Sequence, residues 1–116
     1  SKGLELPAST AKKKPEVALK VSISRDELMV EGQRITTLNK MMDREGLIVP
    51  ELETILDQRR ALTEKIAKHS TKVEFKGDVL IEADRQVRFK IIQKIMYTCG
   101  QSGFSNFSLL VLRKEG

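Results

Sequence analysis

The chain has 116 residues, a length that suits one domain with a modest core. Hydrophobic residues make up 40% and charged residues 32%, as in an ordinary globular domain, and the 4% aromatic content without Trp argues against stacked recognition of sugars or single-stranded nucleic acid. The single Cys excludes an intramolecular disulfide framework, and no apolar run is long enough to span a bilayer.

Residues 1–16 contain two prolines, a Ser-Thr pair and the lysine run Lys12 to Lys14, with no hydrophobic period. This pattern predicts a flexible linker. The stretch lacks the apolar core of a signal peptide, and a start at Ser-Lys-Gly suggests that a membrane anchor preceding it was removed. The expected organisation is a linker over residues 1–16 and one domain over residues 17–116.

Apolar and polar residues alternate over residues 17–24, which predicts a strand with one buried face. Arg25-Asp26-Glu27 is expected to form a turn, residues 28–30 a short returning strand, and Glu31-Gly32 its end. The two strands are expected to pair as a hairpin.

The next region is predicted to be helical. Over residues 33–48 the spacing of a few apolar residues before Gly46 favours a short helix. Pro50 fits the first position of a longer helix, with acidic residues in its first turn. The apolar residues of that helix form one stripe, which is expected to face the core: Leu52, Ile55, Leu56, Leu62 and Ile66.

The C-terminal third predicts a strand–helix–strand unit. Residues 73–77 are a connector or a short strand, residues 79–81 a central strand, and Asp84 a cap or turn former. The following helix ends at Gly100 and Gly103, and residues 107–112 form the last strand. The expected buried face of that helix carries Phe89, Ile92, Ile95, Met96 and Cys99.

These elements predict an α+β fold, a two-layer sandwich in the order β-β-α-β-α-β with two helices on one face of a four-stranded mixed sheet. The final strand–helix–strand unit is expected to be right-handed and therefore parallel.

No catalytic or metal-binding pattern is present. The chain lacks both glycine-rich nucleotide-binding loops, and one His and one Cys thirty residues apart do not build a zinc site. His69 is expected at a helix end, Cys99 inside the core, and the Gly-x-x-Gly at Gly100 is explained by a helix stop better than by a nucleic-acid clamp. We expect neither enzyme activity nor a cofactor nor a metal.

Three segments resemble the ExbD/TolR family. Residues 4–9 are similar to the apolar-x-apolar-Pro motif that follows the family's transmembrane helix, and residues 17–35 resemble its first two strands and the acid-Gly step after them. Residues 81–104 resemble its Ala-Asp-Lys-x-Val segment, helix and Gly-aromatic turn, with Arg85 in place of the Lys. Two departures are a longer connection over residues 36–50 and Ser108 where a Gly is common, which suggests a divergent member from a motility or Tol-like system.

The resemblance implies a single-pass protein of the bacterial inner membrane whose periplasmic domain is this chain. It implies a stator subunit that couples the proton gradient to transport, envelope maintenance or motility, with the proton-carrying acid in a membrane helix absent from this sequence. It also implies three kinds of partner: a second copy of the chain, an ExbB/TolQ-like pentameric channel, and a TonB/TolA-like transducer or peptidoglycan.

The expected partner-binding residues lie in three places. Leu110 and Leu112 belong to an uncharged strand that offers a free edge for dimerisation or peptide capture. The alternative, that Leu109 and Val111 merely face the helices, explains one face of this strand but not the other. Arg85 and Arg88 are candidates to bind an acidic group. The resemblance adds a regulatory docking strand, against the alternative of a plain tether, and its residues are Leu4, Leu6, Pro7 and Ala8.

Two other functions remain open at this stage. The pI near 9.5 and the run Lys12 to Lys14 also fit a small basic nucleic-acid-binding α+β protein, whose affinity would fall steeply with salt. A ferredoxin-like regulatory domain would need a second strand–helix–strand unit, which residues 17–50 do not supply cleanly.

Overall fold

The computed structural model describes residues 18–112, which form a mixed α+β domain built on a five-stranded sheet. The strand order is β3-β2-β1-β4-β5. The strands are β1 (Leu19–Ile23), β2 (Glu27–Val30), β3 (Gln33–Thr37), β4 (Asp78–Asp84) and β5 (Asn106–Leu112), and the helices are α1 (Leu38–Asp43), α2 (Pro50–Ala67) and α3 (Phe89–Gln101).

The predicted hairpin is confirmed. β1 and β2 pair antiparallel with Val21 opposite Val30. Glu31 and Gly32 end β2, as predicted, and turn the chain into β3 with φ angles of 52° and 84°. β1 also pairs with β4, and β4 with β5, and both pairings are parallel. The sheet is therefore mixed, as predicted.

The prediction of four strands was wrong, because residues 33–37 form a further strand, β3, rather than the start of a helix. Ile35, Thr36 and Thr37 are β-branched residues that favour extended backbone, and the tight Glu31-Gly32 turn brings them beside β2. The short helix itself exists as α1, so the described residues contain three helices and not the two of the predicted order β-β-α-β-α-β. The Thr37 hydroxyl caps α1 by accepting a hydrogen bond from the Lys40 amide at 3.3 Å.

One core joins the buried face of the sheet to the helices. Leu19, Val21 and Ile23 of β1 are buried, whereas Lys20 and Ser22 between them are not. The same alternation buries Val79, Ile81 and Ala83 in β4, and these strands share the core with buried residues of all three helices. The opposite side of the sheet, which carries Lys20 and Ser22, is called the open face below.

Helix α2 begins as predicted, with Pro50 in its first turn beside Glu51 and Glu53. Its buried stripe is shorter than predicted, because Leu52 and Leu56 are buried but Leu62 is 54% exposed and Ile66 is exposed as well. The buried residues lie in the first two turns of this 18-residue helix, whereas Leu62 and Ile66 lie in its last turns.

Helix α3 differs from its prediction on one side. Ile92, Ile95 and Cys99 are buried as predicted and Met96 is partly buried, but Phe89 is 67% exposed. The buried surface of the helix is instead extended by Ile91, Lys94 and Thr98.

Lys94 and Thr98 bind the connection between α1 and α2. The Lys94 ammonium group, 2% exposed, donates hydrogen bonds to the carbonyl oxygens of Met41 at 2.9 Å and Arg44 at 2.7 Å. The Thr98 hydroxyl accepts a hydrogen bond from the Val49 amide at 3.0 Å. The connection over residues 36–50, predicted as an insertion, is thus a fixed part of the domain.

Candidate partner-binding surface at strand β5

Strand β5 lies at one edge of the sheet and pairs with β4 alone among the described residues. Its sequence, Asn-Phe-Ser-Leu-Leu-Val-Leu, carries no charged side chain. An edge strand presents unpaired N–H and C=O groups, and charged residues are the usual protection against pairing with another chain. The edge of β5 can therefore accept a further strand without burying a charge.

Both faces of β5 are exposed as well. The register places Leu109 beside Ile81 and Val111 beside Ala83, on the buried face, yet Leu109 is 49% and Val111 55% exposed. These two side chains are therefore not explained by packing on the helices.

Leu110 lies beside Glu82 and Leu112 beside Asp84, on the open face. Leu110 is 47% exposed, and Leu112 is about equally so. The edge surface, defined as Phe107, Leu109, Leu110, Val111 and Leu112, is thus apolar on both sides of one strand. Exposed apolar residues that are contiguous in this way are typical of interaction sites.

Helix α3 adds exposed apolar residues in the same strand–helix–strand unit. Phe89 and Tyr97 are exposed and Met96 is only partly buried. Phe89 and Met96 are seven residues apart and so lie on the same side of a helix. Sequence reasoning missed this surface because Phe89 fits the apolar period of the helix.

The predicted site residues fall into separate groups. Arg85 lies at the end of β5, where its backbone amide donates to the Leu112 carbonyl oxygen at 3.1 Å, so Arg85, Leu110 and Leu112 share one corner of the sheet. Arg88 is the residue before α3 and lines a cavity with Arg25. The predicted docking residues Leu4, Leu6, Pro7 and Ala8 lie outside the described residues.

Asp84 is a turn former rather than the cap of α3. Its carboxylate accepts a hydrogen bond from the Gln86 amide at 2.8 Å, and its carbonyl oxygen accepts one from the Val87 amide at 3.0 Å. These bonds hold the connection from β4 to α3 in one conformation.

The described residues contain no cluster of His, Cys, Asp and Glu side chains that could bind a metal ion. Cys99 is buried, and burial raises the pKa of its thiol to about 12, so it stays protonated. Within residues 18–112 no helix is long and apolar enough to cross a membrane.

The strongest polar pair serves the fold. Arg44 donates two hydrogen bonds of 2.6 Å to the carboxylate of Glu51 in the first turn of α2. These bonds hold the pKa of Glu51 at about 2, and they raise the pKa of Arg44. The pair joins the α1–α2 connection to α2.

Comparison with known proteins agrees with the resemblance seen in the sequence. A family model described as biopolymer transport protein ExbD/TolR matches residues 1–114, which is essentially the whole chain. No individual curated protein matched the chain.

Proposed function

The chain belongs to the ExbD/TolR family, and from that membership we propose that it is the periplasmic domain of an inner-membrane stator subunit. Such a subunit couples the proton gradient to transport, envelope maintenance or motility. The match over residues 1–114 supports the transport class. The apolar, unprotected edge of β5 is the observation that supports a binding role for this domain, because it offers a surface for partners.

The first proposed partner is a second copy of the chain. A two-fold axis would pair β5 of one copy antiparallel with β5 of the other copy. Since β5 carries no charge, this pairing brings no like charges together. It would also cover part of the exposed side chains of Leu109 and Leu110.

The second proposed partner is a TonB/TolA-like transducer or peptidoglycan. An extended peptide can add to a sheet edge by backbone hydrogen bonds, with pockets for alternate side chains providing specificity. Arg85, at the end of β5, would bind an acidic group of such a partner. Force would then pass from the bound peptide along β5 into β4, to which β5 is paired over its whole length.

The membrane part of the proposal lies upstream. A single transmembrane helix before residue 1 would carry the proton-binding acid and contact an ExbB/TolQ-like pentameric channel. Residues 1–16 would link that helix to the domain, and their motif Leu4, Leu6, Pro7 and Ala8 would dock on the domain in a resting state.

Sedimentation velocity tests the dimer directly. We expect Leu110→Arg to give a monomer under conditions in which the unchanged chain is a dimer, since a charge would enter the middle of the strand pair. The matched control is Leu62→Arg, which places the same charge on a 54% exposed leucine of α2 and should leave the dimer intact. A Leu110→Arg protein that sediments like the unchanged chain would reject β5 as the dimer interface.

The nucleic-acid alternative has no described feature in its favour beyond the overall basic charge. Binding to duplex DNA at low salt, with affinity falling steeply as salt is added, would revive it.

A further inference from the structure

A cavity of about 370 Å³ lies at the end of the sheet where β1 and β4 finish. Three segments form its walls: the β1–β2 turn, helix α1 and the connection from β4 into α3. Its apolar part consists of Leu38, Met42, Val87 and Ile91. Leu38, Met42 and Val87 are only partly buried, so this apolar surface is left partly open to a ligand.

Hydrogen bonds between the walls hold the cavity open without a ligand. The Arg25 guanidinium donates to the side-chain oxygen of Gln86 at 2.9 Å, which joins two walls. The Leu38 amide donates to the Asp26 carbonyl oxygen at 3.0 Å, which joins α1 to the β1–β2 turn. Such a preformed cavity costs a ligand little reorganisation on binding.

The rim of the cavity is polar and positively charged. It carries the guanidinium groups of Arg25 and Arg88 and the amide groups of Asn39 and Gln86. Among residues 18–112 no carboxylate lines the cavity, and neither arginine forms an ion pair within this range. The positive charge at the rim is thus available to a ligand, and guanidinium groups bind carboxylates by directional, charge-assisted hydrogen bonds.

We propose that this cavity binds the carboxyl terminus of a partner polypeptide. The terminal carboxylate lies between Arg25 and Arg88, and the last side chain, an apolar one of medium size, packs on Leu38, Met42 and Val87. The amide groups of Asn39 and Gln86, which also line the cavity, would donate to the preceding peptide group. The volume is at the lower end of the usual range for small-ligand sites, which limits the bound portion to the last one or two residues.

No residue of β5 lines this cavity, although the connection that forms one of its walls is joined to β5 by the hydrogen bond from the Arg85 amide to the Leu112 carbonyl oxygen. A partner could be held here by its carboxyl terminus whether or not the edge of β5 is occupied, and dimerisation does not require the cavity. The proposed function and this site can therefore fail separately.

The test uses the whole chain and three short synthetic peptides, with NMR titration as the measurement. We expect acetyl-Ala-Ala-Leu with a free carboxylate to bind in roughly the 0.1–1 mM range and to shift the signals of residues that line the cavity. The same peptide with an amidated terminus should bind at least about tenfold more weakly, because a charged hydrogen-bond acceptor is lost. A free-acid peptide that ends in Gly should also bind more weakly, because it lacks the apolar side chain.

Matched variants distinguish specific binding in the cavity from non-specific electrostatic attraction of the peptide. Arg88→Gln should weaken binding of the free-acid peptide by about tenfold, whereas Lys90→Gln, which removes one positive charge two residues later and outside the cavity, should leave it within about twofold. Equal loss in both variants, equal binding of the amidated peptide, or no binding at all would overturn the proposal. Sedimentation of the two variants, which we expect to match the unchanged chain, reports separately on the dimer.

Discussion

The two edge strands of the sheet, β3 and β5, differ in how they are protected from another chain. β3 has five residues, among them Arg34, and its pairing with β2 is broken by a register shift that leaves Ile35 without a partner. It then leads directly into α1. β5 has seven residues, no charge and an unbroken register with β4. Charges and bulges are the features that prevent edge-to-edge pairing, so the sheet is protected at β3 and open at β5.

β3 is also more buried than β5. Thr36 of β3 is buried, and the chain that follows β3 is held to the core by Lys94 and Thr98. By contrast, every side chain of β5 is exposed. The comparison indicates that the β3 side of the domain carries stability and that the β5 side is available for recognition.

The largest expected effect contrasts two neighbouring residues across β4 and β5. Ile81 and Leu109 are partners in register, but Ile81 is fully buried and Leu109 is 49% exposed. We expect Ile81→Ala to lower the free energy of unfolding by about 2–5 kcal/mol through a cavity in the core, and Leu109→Ala by less than about 1 kcal/mol. Urea denaturation of both variants, made in a Leu110→Arg background to keep the chain monomeric, measures the difference.

An equal loss in the free energy of unfolding in the two alanine variants would show that β5 belongs to the core of the single chain. It would contradict the conclusion that β5 is the open edge. A larger effect of Leu109→Ala in the chain without Leu110→Arg would sharpen the contrast, because it would report burial in the dimer.

The second prediction concerns the β3 side, where Lys94 holds the connection after α1. Lys94→Met should lower the free energy of unfolding by about 1–3 kcal/mol, because the carbonyl oxygens of Met41 and Arg44 lose their donor. Lys90→Met, on the exposed side of the same helix, is the control and should change it by less than about 0.5 kcal/mol. Hydrogen exchange should rise over residues 44–49 in Lys94→Met, and unchanged exchange there would contradict the proposed role of the lysine.

The third prediction concerns the start of β4, on the β5 side. Gly77 has a φ of 69°, and a methyl group at this position would clash with the Gly103 carbonyl oxygen. Gly77→Ala should therefore lower the free energy of unfolding by about 1–3 kcal/mol. At Gly100, in α3, an added methyl group would meet no atom within 4 Å, so Gly100→Ala should leave the free energy of unfolding unchanged or raise it by up to about 1 kcal/mol. Thermal unfolding of both variants checks this, and equal melting temperatures would show that the approach of the two segments is not tight.

The sequence predicted an element correctly where its apolar residues recur every two residues, as in a strand, or about every 3.6 residues, as in a helix, and are buried in the structure. The β1–β2 hairpin, the start of α2 at Pro50 and the strand–helix–strand unit from β4 to β5 were all predicted in type and order. The strand β3 was missed because its five residues are mostly polar and its burial depends on β2 beside it.

The surfaces were predictable in part. The uncharged pattern of β5 indicated a free edge, but exposure of both its faces depends on where the helices lie, which a strand's own sequence does not determine. The cavity rim joins Arg25 to Gln86 and Arg88, and a contact across 61 residues leaves no local pattern. Lys94 was missed for the opposite reason, since a lysine in an amphipathic helix is normally a solvent-facing residue.

The smallest expected effect is a pH dependence on the β3 side. Arg44 holds the pKa of Glu51 at about 2, below the ordinary value near 4.3, so the pair stabilises the folded chain above the ordinary pKa and this contribution is lost as the pH falls from about 4.3 towards 2. Glu51→Gln should therefore lower the urea midpoint at about pH 6 and leave it nearly unchanged at about pH 2. Glu53→Gln, in the same helical turn but without an ion pair among residues 18–112, is the control. A Glu51→Gln effect of equal size at both pH values would mean that the side chain acts through packing and not through its charge, and the ion pair would then contribute nothing to the stability of the β3 side.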